Sequence, residues 1–383
     1  MEKIKTVLIV AGEASGDMHA ASLVKALKDI GPAAEFFGVG GQKLKREGVE
    51  LLYDMTTIAV VGFFEVLRNF GTFRRIFRRL LEEADRRRPD VAILVDYPGF
   101  NLRLAAELKK RDIPVIYYIS PQVWAWGQGR INTIKRLVNT MIVVLPFEED
   151  LYRKAGVPVV YTGHPLLDVV KPQASRQQVC GQAGLDPGKT IFALLPGSRQ
   201  KEVKTLLPIM LETAGLLRAS LPEAQFLLLR APSVPQEVFD RLLAKYPLPV
   251  RLLTDMAYDG VAACDFALVA SGTATLETAI IATPMVILYK VSFLTWAYMK
   301  AAIRIPYIGL ANVVRQEKLV AEFIQYDARP SRIADYIIKI LQDPPKLAEL
   351  KRGLAETAGL LGKKGASLRA AQVISDFLAK NRS

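Results

Sequence analysis

IFALLPGSRQKEV, Ile191–Val203, holds a strand, a glycine turn and the start of a helix in thirteen residues. Ile191 to Leu195 is a short apolar run without alternation, the mark of a strand buried on both faces of its sheet. Gly197 then lets the backbone approach a ligand closely. Ser198 and the amides that follow can open a helix whose positive end attracts anions. Working outward, the same grammar recurs on both sides. Thr6–Val10, Val91–Val95, Val115–Ile119 and Met141–Leu145 precede it, and Phe226–Leu229, Phe266–Val269 and Met285–Leu288 follow, with amphipathic helical stretches between. Two sets of such strands predict an α/β fold of two Rossmann-like domains, their parallel sheets facing an interdomain cleft. A chain of 383 residues is long enough for two cores.

The division between the domains is read from composition. Lys171–Lys189 is polar and carries Pro172, Gly181, Gly184, Pro187 and Gly188, which places a linker there. The expected domains are 1–170 and 171–359. The basic, strandless tail is expected to form a helix, 360–383, that crosses back to complete the first domain.

Composition narrows the function classes. Hydrophobic residues make up 51% and charged residues 23% of the chain, a globular balance. Cys180 and Cys264 stand far apart and form no CxxC pair, which argues against a disulfide scaffold and suits a reducing compartment. With two histidines, His19 and His164, a histidine-rich metal centre is not expected. The N-terminal MEKIKTVLIVAGEASGD reads as a strand and loop rather than a signal peptide. No window offers about 20 uncharged apolar residues, so no membrane span is predicted. The net charge of +13 favours an anionic partner. It is concentrated in RNFGTFRRIFRRLLEEADRRR, Arg68–Arg88, where Phe73, Phe77, Leu80, Leu81 and Ala84 share a helical face and Arg74, Arg75, Arg78 and Arg79 fall mostly on the other. With Phe63, Phe64 and Phe70 nearby, this suits an interfacial helix on anionic lipid. The competing reading is a helix packed on the sheet with solvated arginines.

In open parallel sheets, ligands bind beyond the carboxyl ends of the strands. At PGSR, Arg199 adds a forked donor suited to phosphate oxygens, although an ordinary strand–helix turn would look the same. At ASGTATLE, Ala270–Glu277, the turn residues Ser271, Gly272, Thr273 and Thr275 form a second phosphate cradle, and Glu277 can accept ribose hydroxyls; the alternative is an N-cap with a capping glutamate. Two such cradles in one domain suit one pyrophosphate. The loop GEASGD, Gly12–Asp17, has glycines but carries Glu13 and Asp17, which would repel a pyrophosphate. It is read as facing neutral hydroxyls, or as a helix-capping turn. GVGG, Gly38–Gly41, lacks the spacing of a dinucleotide fingerprint. DYPGFN places Asp96 at a strand end, with Asn101 behind it, as a general base or an N-cap. In SPQVWAWGQGR, Trp124 and Trp126 lie on one side of an extended segment, as core or as the wall of an acceptor site.

GEASGD, GVGG, VGFFEVL (Val61–Leu67), DYPGFN, SPQVWAW, PFE (Pro146–Glu148), GHPL (Gly163–Leu166), LLPGSR, ASGTATLE and Asn312 with its LVAEFIQ sequel occur in one order over about 85% of the chain. In that order they resemble bacterial lipid-A-disaccharide synthases, glycosyltransferases of the GT-B type. Ala321 departs from the proline more usual there. The resemblance implies that UDP-2,3-diacylglucosamine donates its sugar to 2,3-diacylglucosamine 1-phosphate (lipid X). The products are a β-1,6 disaccharide 1-phosphate and UDP, formed with inversion at the cytosolic face of the inner membrane, to which the chain would bind peripherally. It implies Asp96 as base, with Glu13 and Asp17 next in line, and Arg199 on the pyrophosphate. It carries Ser15, Gly16, Gly197, Ser198, Ser271, Gly272, Thr273, Ala274, Glu277 and Asn312 to the donor site. Asp17, Asn101 and Trp124 are expected on the acceptor side, and the residue pattern itself adds Phe63, Phe64, Phe73, Arg74, Arg75, Arg78 and Arg79 as acceptor or membrane contacts. No DxD-like pair stands beside the phosphate turns, so no metal and no cofactor are expected, and leaving-group charge falls to Arg199 and helix N-termini. The runner-up is another UDP-sugar enzyme of the same architecture, such as a UDP-N-acetylglucosamine 2-epimerase. A nucleic-acid module is disfavoured because no RNP, zinc or helix-turn-helix signature appears.

Overall fold

A computed structural model describes residues 4–55, 70–125, 127, 129–293, 295–296 and 306–380. The chain forms two compact units, Met1–Asp168 with Gly362–Ser383, and Val169–Leu361.

The first unit holds a seven-stranded sheet in the order β3-β2-β1-β4-β5-β6-β7. Its strands are β1 (Lys5–Ala11), β2 (Ala34–Gly40), β3 (Glu50–Asp54), β4 (Val91–Val95), β5 (Val115–Tyr118), β6 (Thr140–Val143) and β7 (Val159–Tyr161). Every neighbouring pair is parallel. The helices are α1 (Ala14–Ile30), α2 (Gln42–Arg46), α3 (Phe70–Arg87), α4 (Pro98–Lys109), α5 (Arg130–Leu137), α6 (Pro146–Lys154), the short α7 (Leu166–Val169) at the unit's edge and, after the second unit, α16 (Ala366–Lys380). Parallel strands need crossover helices, and these cover both faces, which is why β1 and β4 read as unbroken apolar runs. Gly38 is demanded by this packing. Its φ is +152°, and a Cβ there would lie 1.9 Å from the Ile9 carbonyl oxygen.

The returning tail is tied to the first unit by more than packing of α16 on α1. The Gly365 amide donates to Asp168 Oδ1 (2.6 Å), and Arg369 Nε donates to the Thr162 carbonyl (2.8 Å).

The second unit repeats the plan with a parallel six-stranded sheet, β10-β9-β8-β11-β12-β13. Its strands are β8 (Ile191–Leu195), β9 (Gln225–Arg230), β10 (Val250–Thr254), β11 (Phe266–Ala270), β12 (Met285–Tyr289) and β13 (Glu322–Ile324). Its helices are α8 (Arg176–Ala183), α9 (Gln200–Ser220), α10 (Gln236–Leu243), α11 (Ala257–Ala262), α12 (Thr273–Ile281), α13 (Leu310–Arg315), α14 (Pro330–Leu341) and α15 (Pro344–Leu360). Among the described residues no helix is long and apolar enough to cross a membrane.

Strand order sets where ligands can bind. In each sheet the chain winds outward from one central strand and then returns to its other side. The switch falls between β1 and β4 in the first unit and between β8 and β11 in the second. Loops diverge at the carboxyl ends of such a pair and leave a crevice. The four loops that follow these strands are GEASGD and DYPGFN, then PGSR and ASGT.

Candidate active site

In the second unit, β8 ends at Leu195 and the chain turns through Gly197 at φ +111° into α9. The Ser198 amide donates to Glu202 Oε2 (3.3 Å), and Arg199 Nη1 donates to Glu202 Oε1 (3.2 Å). Ser233 Oγ braces the turn by donating to the Ser198 carbonyl (2.7 Å). Beside it, β11 ends at Ala270. The Ser271 amide donates to the Leu288 carbonyl (2.9 Å), and its hydroxyl donates to the Ile308 carbonyl (3.2 Å). Gly272 follows at φ +149° with open space where a side chain would stand, and α12 begins at Thr273. The half-buried Thr273 and Ala274 form the first turn, and Thr275 Oγ1 donates back to the Gly272 carbonyl (2.8 Å). Glu277, one turn on, accepts from the Tyr258 hydroxyl (3.2 Å). Burial first and the charge of Glu277 second push the Tyr258 phenol well up, so it stays a donor. At the end of β12, burial and then Glu202 push the Tyr289 phenol up while Arg199 pulls it down. This groups Arg199, Glu202 and Tyr289 beside the turn. Two amide-rich helix starts and a guanidinium thus lie at one switch point, donor types that suit an anion.

In the first unit, Asp96 and Tyr97 follow β4 at φ 47° and 48°. Two successive left-handed residues that are not glycine cost roughly 1–2 kcal/mol each, so something must hold them. Tyr117 on β5 donates its hydroxyl to the Asp96 carbonyl (2.5 Å). Asn101 Nδ2 donates to the same carbonyl (2.8 Å) and to that of Val95 (3.1 Å). Burial, then the charge of Asp96, keeps the Tyr117 phenol far above its ordinary value and therefore protonated. The neighbouring loop interlocks with this turn, since a Cβ on Gly12 would lie 2.4 Å from the Tyr97 ring. The Tyr97 phenol is raised by burial and then by Glu13, which puts that carboxylate beside the turn. Ser15 is half-buried and Gly16 buried at the start of α1. Asp96 itself is half-exposed on this clamped backbone.

A third cluster lies after β6. Glu148 is 2% exposed, accepts from Trp124 Nε1 (3.1 Å) and the Leu145 amide (3.2 Å), and is pushed by burial to a pKa of about 7. Ser120 Oγ and Tyr152 OH are 2.8 Å apart beside it. Trp124, expected on the acceptor side, is thus held by its indole N–H and lies edge-on to Phe147 (5.3 Å).

Four expected contacts take other roles. Asp17 is 3% exposed, and its carboxylate accepts from the amides of Gly41 (2.7 Å), Lys43 (3.0 Å) and Leu44 (3.2 Å). It caps α2 and fixes the GVGG turn instead of facing an acceptor. Asn101 is fully buried, and its Nδ2 holds the Asp96 carbonyl. Asn312 is fully buried too. Its side-chain NH2 donates to the Val320 carbonyl (2.8 Å) and Glu322 (2.9 Å), and its oxygen accepts from the amides of Leu319 (3.0 Å) and Val320 (2.9 Å), so it holds the loop that follows α13. Phe73 is 9% exposed and packs on Tyr97 and Phe100, so it is core and not a membrane contact. Arg74, Arg75, Arg78 and Arg79 are exposed on the outer face of α3. Phe63, Phe64, the VGFFEVL stretch and Trp126 lie outside the described residues.

The sequence reading missed Tyr117, Tyr258, Glu148 and Glu202. Only Glu148 carried a local signal, standing three residues after the apolar run Met141–Leu145.

Two doubly wound parallel-sheet units, each with its loops gathered at a switch point, are the architecture of GT-B glycosyltransferases. Solved structures agree on the fold. The UDP-N-acetylglucosamine 2-epimerase from Neisseria meningitidis bound to UDP-GlcNAc matches with a TM-score of 0.66 over 98% of this chain and 100% of that chain. A glycosyltransferase from Rickettsia africae matches at 0.60 over 100% of both. Identities of 14% and 13% limit these likenesses to fold, so the epimerase alternative rests on architecture alone. Sequence comparison goes further. The family model described as lipid-A-disaccharide synthetase matches residues 7–377. A lipid-A-disaccharide synthase of Geobacter sulfurreducens is 45% identical over 374 residues, 98% of this chain and 97% of the relative. One of Syntrophus aciditrophicus is 46% identical over 378 residues, 98% and 99%. The chain belongs to the lipid-A-disaccharide synthetase family, and it is a glycosyltransferase of lipid A disaccharide synthesis.

Proposed function

We propose that the enzyme joins UDP-2,3-diacylglucosamine to 2,3-diacylglucosamine 1-phosphate by direct displacement. The 6-hydroxyl oxygen of the acceptor attacks the anomeric carbon of the donor, and Asp96 takes the hydroxyl proton. The bond from the anomeric carbon to the diphosphate oxygen breaks, its electron pair leaves with UDP, and the configuration inverts. Arg199, the Ser198 amide and the start of α12 meet the charge growing on that oxygen. Gly197, Ser271, Gly272, Thr273 and Ala274 line the diphosphate seat, and Glu277 takes the ribose. Glu13 is the second candidate base.

The reaction is read as needing no metal. The Asp17 oxygens are taken up by three amides, so Glu13 and Asp17 do not form a free carboxylate pair, while the diphosphate seat carries positive donors of its own. Both substrates are lipids, and the exposed arginines of α3 suit a peripheral position on the anionic cytosolic face of the inner membrane.

The observation that carries the mechanism is the left-handed Asp96–Tyr97 turn at the end of β4, its Asp96 carbonyl held by Asn101 and Tyr117. The test is UDP release from UDP-2,3-diacylglucosamine with and without the acyl-sugar phosphate. Release should require the acceptor. Asp96→Ala should lose about 10²–10⁴-fold in kcat with UDP affinity little changed. Turnover at the wild-type rate would move the base elsewhere, Glu13 first.

A further inference from the structure

One charged residue beside the diphosphate seat has no place in the displacement just described. Glu202 stands in the first turn of α9, and its oxygens accept from the Ser198 amide (3.3 Å) and Arg199 Nη1 (3.2 Å). Those are the amide and the guanidinium assigned above to the diphosphate. The carboxylate also lies against the turn itself, because a Cβ on Gly197 would stand 2.4 Å from Glu202 Oε2.

We infer that Glu202 is a placeholder for the diphosphate, an anionic side chain that takes its two donors and must leave when phosphate oxygens bind. This rests on the reading of the β8 turn as the diphosphate seat. An amide has one hydrogen to donate, so Ser198 cannot fully serve a carboxylate and a phosphate together. A carboxylate left a few ångströms from a diphosphate would also repel it. Leaving is easy, because the pair is accessible, with side-chain exposures of 40% for Arg199 and 30% for Glu202, and such pairs are weak. Until then the contact keeps the long Arg199 side chain near its binding position and lowers the entropy that binding must remove. On the way out it works in the other direction. As the UDP product loosens, Glu202 recaptures both donors and speeds release.

The opposite role, in which Glu202 holds Arg199 in place throughout binding, predicts the opposite sign. The test is calorimetric titration of UDP into wild type, Glu202→Gln, Glu202→Ala, Arg199→Ala and the Arg199→Ala/Glu202→Gln pair, with UDP product inhibition measured in parallel. Removing the charge should tighten UDP binding about tenfold and strengthen product inhibition equally. The gain should shrink when Arg199 is absent. Unchanged or weaker UDP binding in Glu202→Gln, with Arg199→Ala still impaired, overturns the placeholder alone. Wild-type UDP affinity in Arg199→Ala would overturn the diphosphate seat, and the placeholder with it.

Discussion

Removing the Tyr117 hydroxyl tests whether the clamp on the Asp96 turn serves catalysis or only folding. Tyr117→Phe deletes one of two donors to the Asp96 carbonyl, and Asn101→Leu deletes the other together with the bond to Val95. A single lost hydrogen bond costs about 1 kcal/mol net, and the carbonyl keeps one donor in Tyr117→Phe. In the double variant it keeps neither side-chain donor, and a buried unsatisfied carbonyl costs about 1–3 kcal/mol. The two changes should therefore couple, with the double loss exceeding the sum of the singles by about 1 kcal/mol. The turn meanwhile holds roughly 2–4 kcal/mol of left-handed backbone cost, which it can relieve once released. Relief would swing the Asp96 carboxylate, and a misplacement near 1 Å costs about 10²-fold in rate. Urea unfolding gives the stability cycle, and UDP release gives kcat on the same samples. The expected pattern is a modest kcat loss in Tyr117→Phe and a loss near 10²-fold in the double variant, with UDP affinity unchanged. A double variant that is clearly destabilised yet turns over at the wild-type rate would refute the assignment of Asp96 to the reacting hydroxyl.

Three more outcomes are expected. Activity should survive EDTA, and strict dependence on added Mg²⁺ would contradict the metal-free reading. Replacing Arg74, Arg75, Arg78 and Arg79 with serine should weaken binding to anionic vesicles about tenfold or more with the thermal melt unchanged, because all four are exposed while the inner face of α3 carries the packing. Stability should depend on pH through opposing buried groups. Burial, then Lys43, lowers His19 to about 4, and burial, then His19, lowers His164 to about 3, so their contribution is present above 6.5 and is lost as pH falls towards those values. Glu148, raised by burial to about 7, acts the other way, its contribution present below 4.5 and lost as pH rises through 7. Glu148→Gln should therefore remove a downward slope of about 1.4 kcal/mol per pH unit between those limits. Identical pH slopes in the two proteins would show that Glu148 is ionised throughout.

The sequence by itself determined the fold class, the family and the loops that matter. Strands such as β4, β8 and β11 are buried on both faces, so their apolar runs are continuous and legible. The partly exposed edge strands β3, β7, β10 and β13 went unread, since half-buried residues leave no such run, and so did the buried β2, whose run is cut short by Gly38 and Gly40. Which loops share a crevice was decided only by strand order, because pairing β1 with β4 and β8 with β11 joins segments some 80 residues apart that carry no mutual signal. The same holds for side-chain roles. The Asp17 carboxylate, the Asn101 Nδ2 and the Asn312 side chain are each engaged with backbone groups, a role no motif announces. A motif records which residue a position needs. Burial and partners decide whether that residue faces a ligand or holds in place the residue that does.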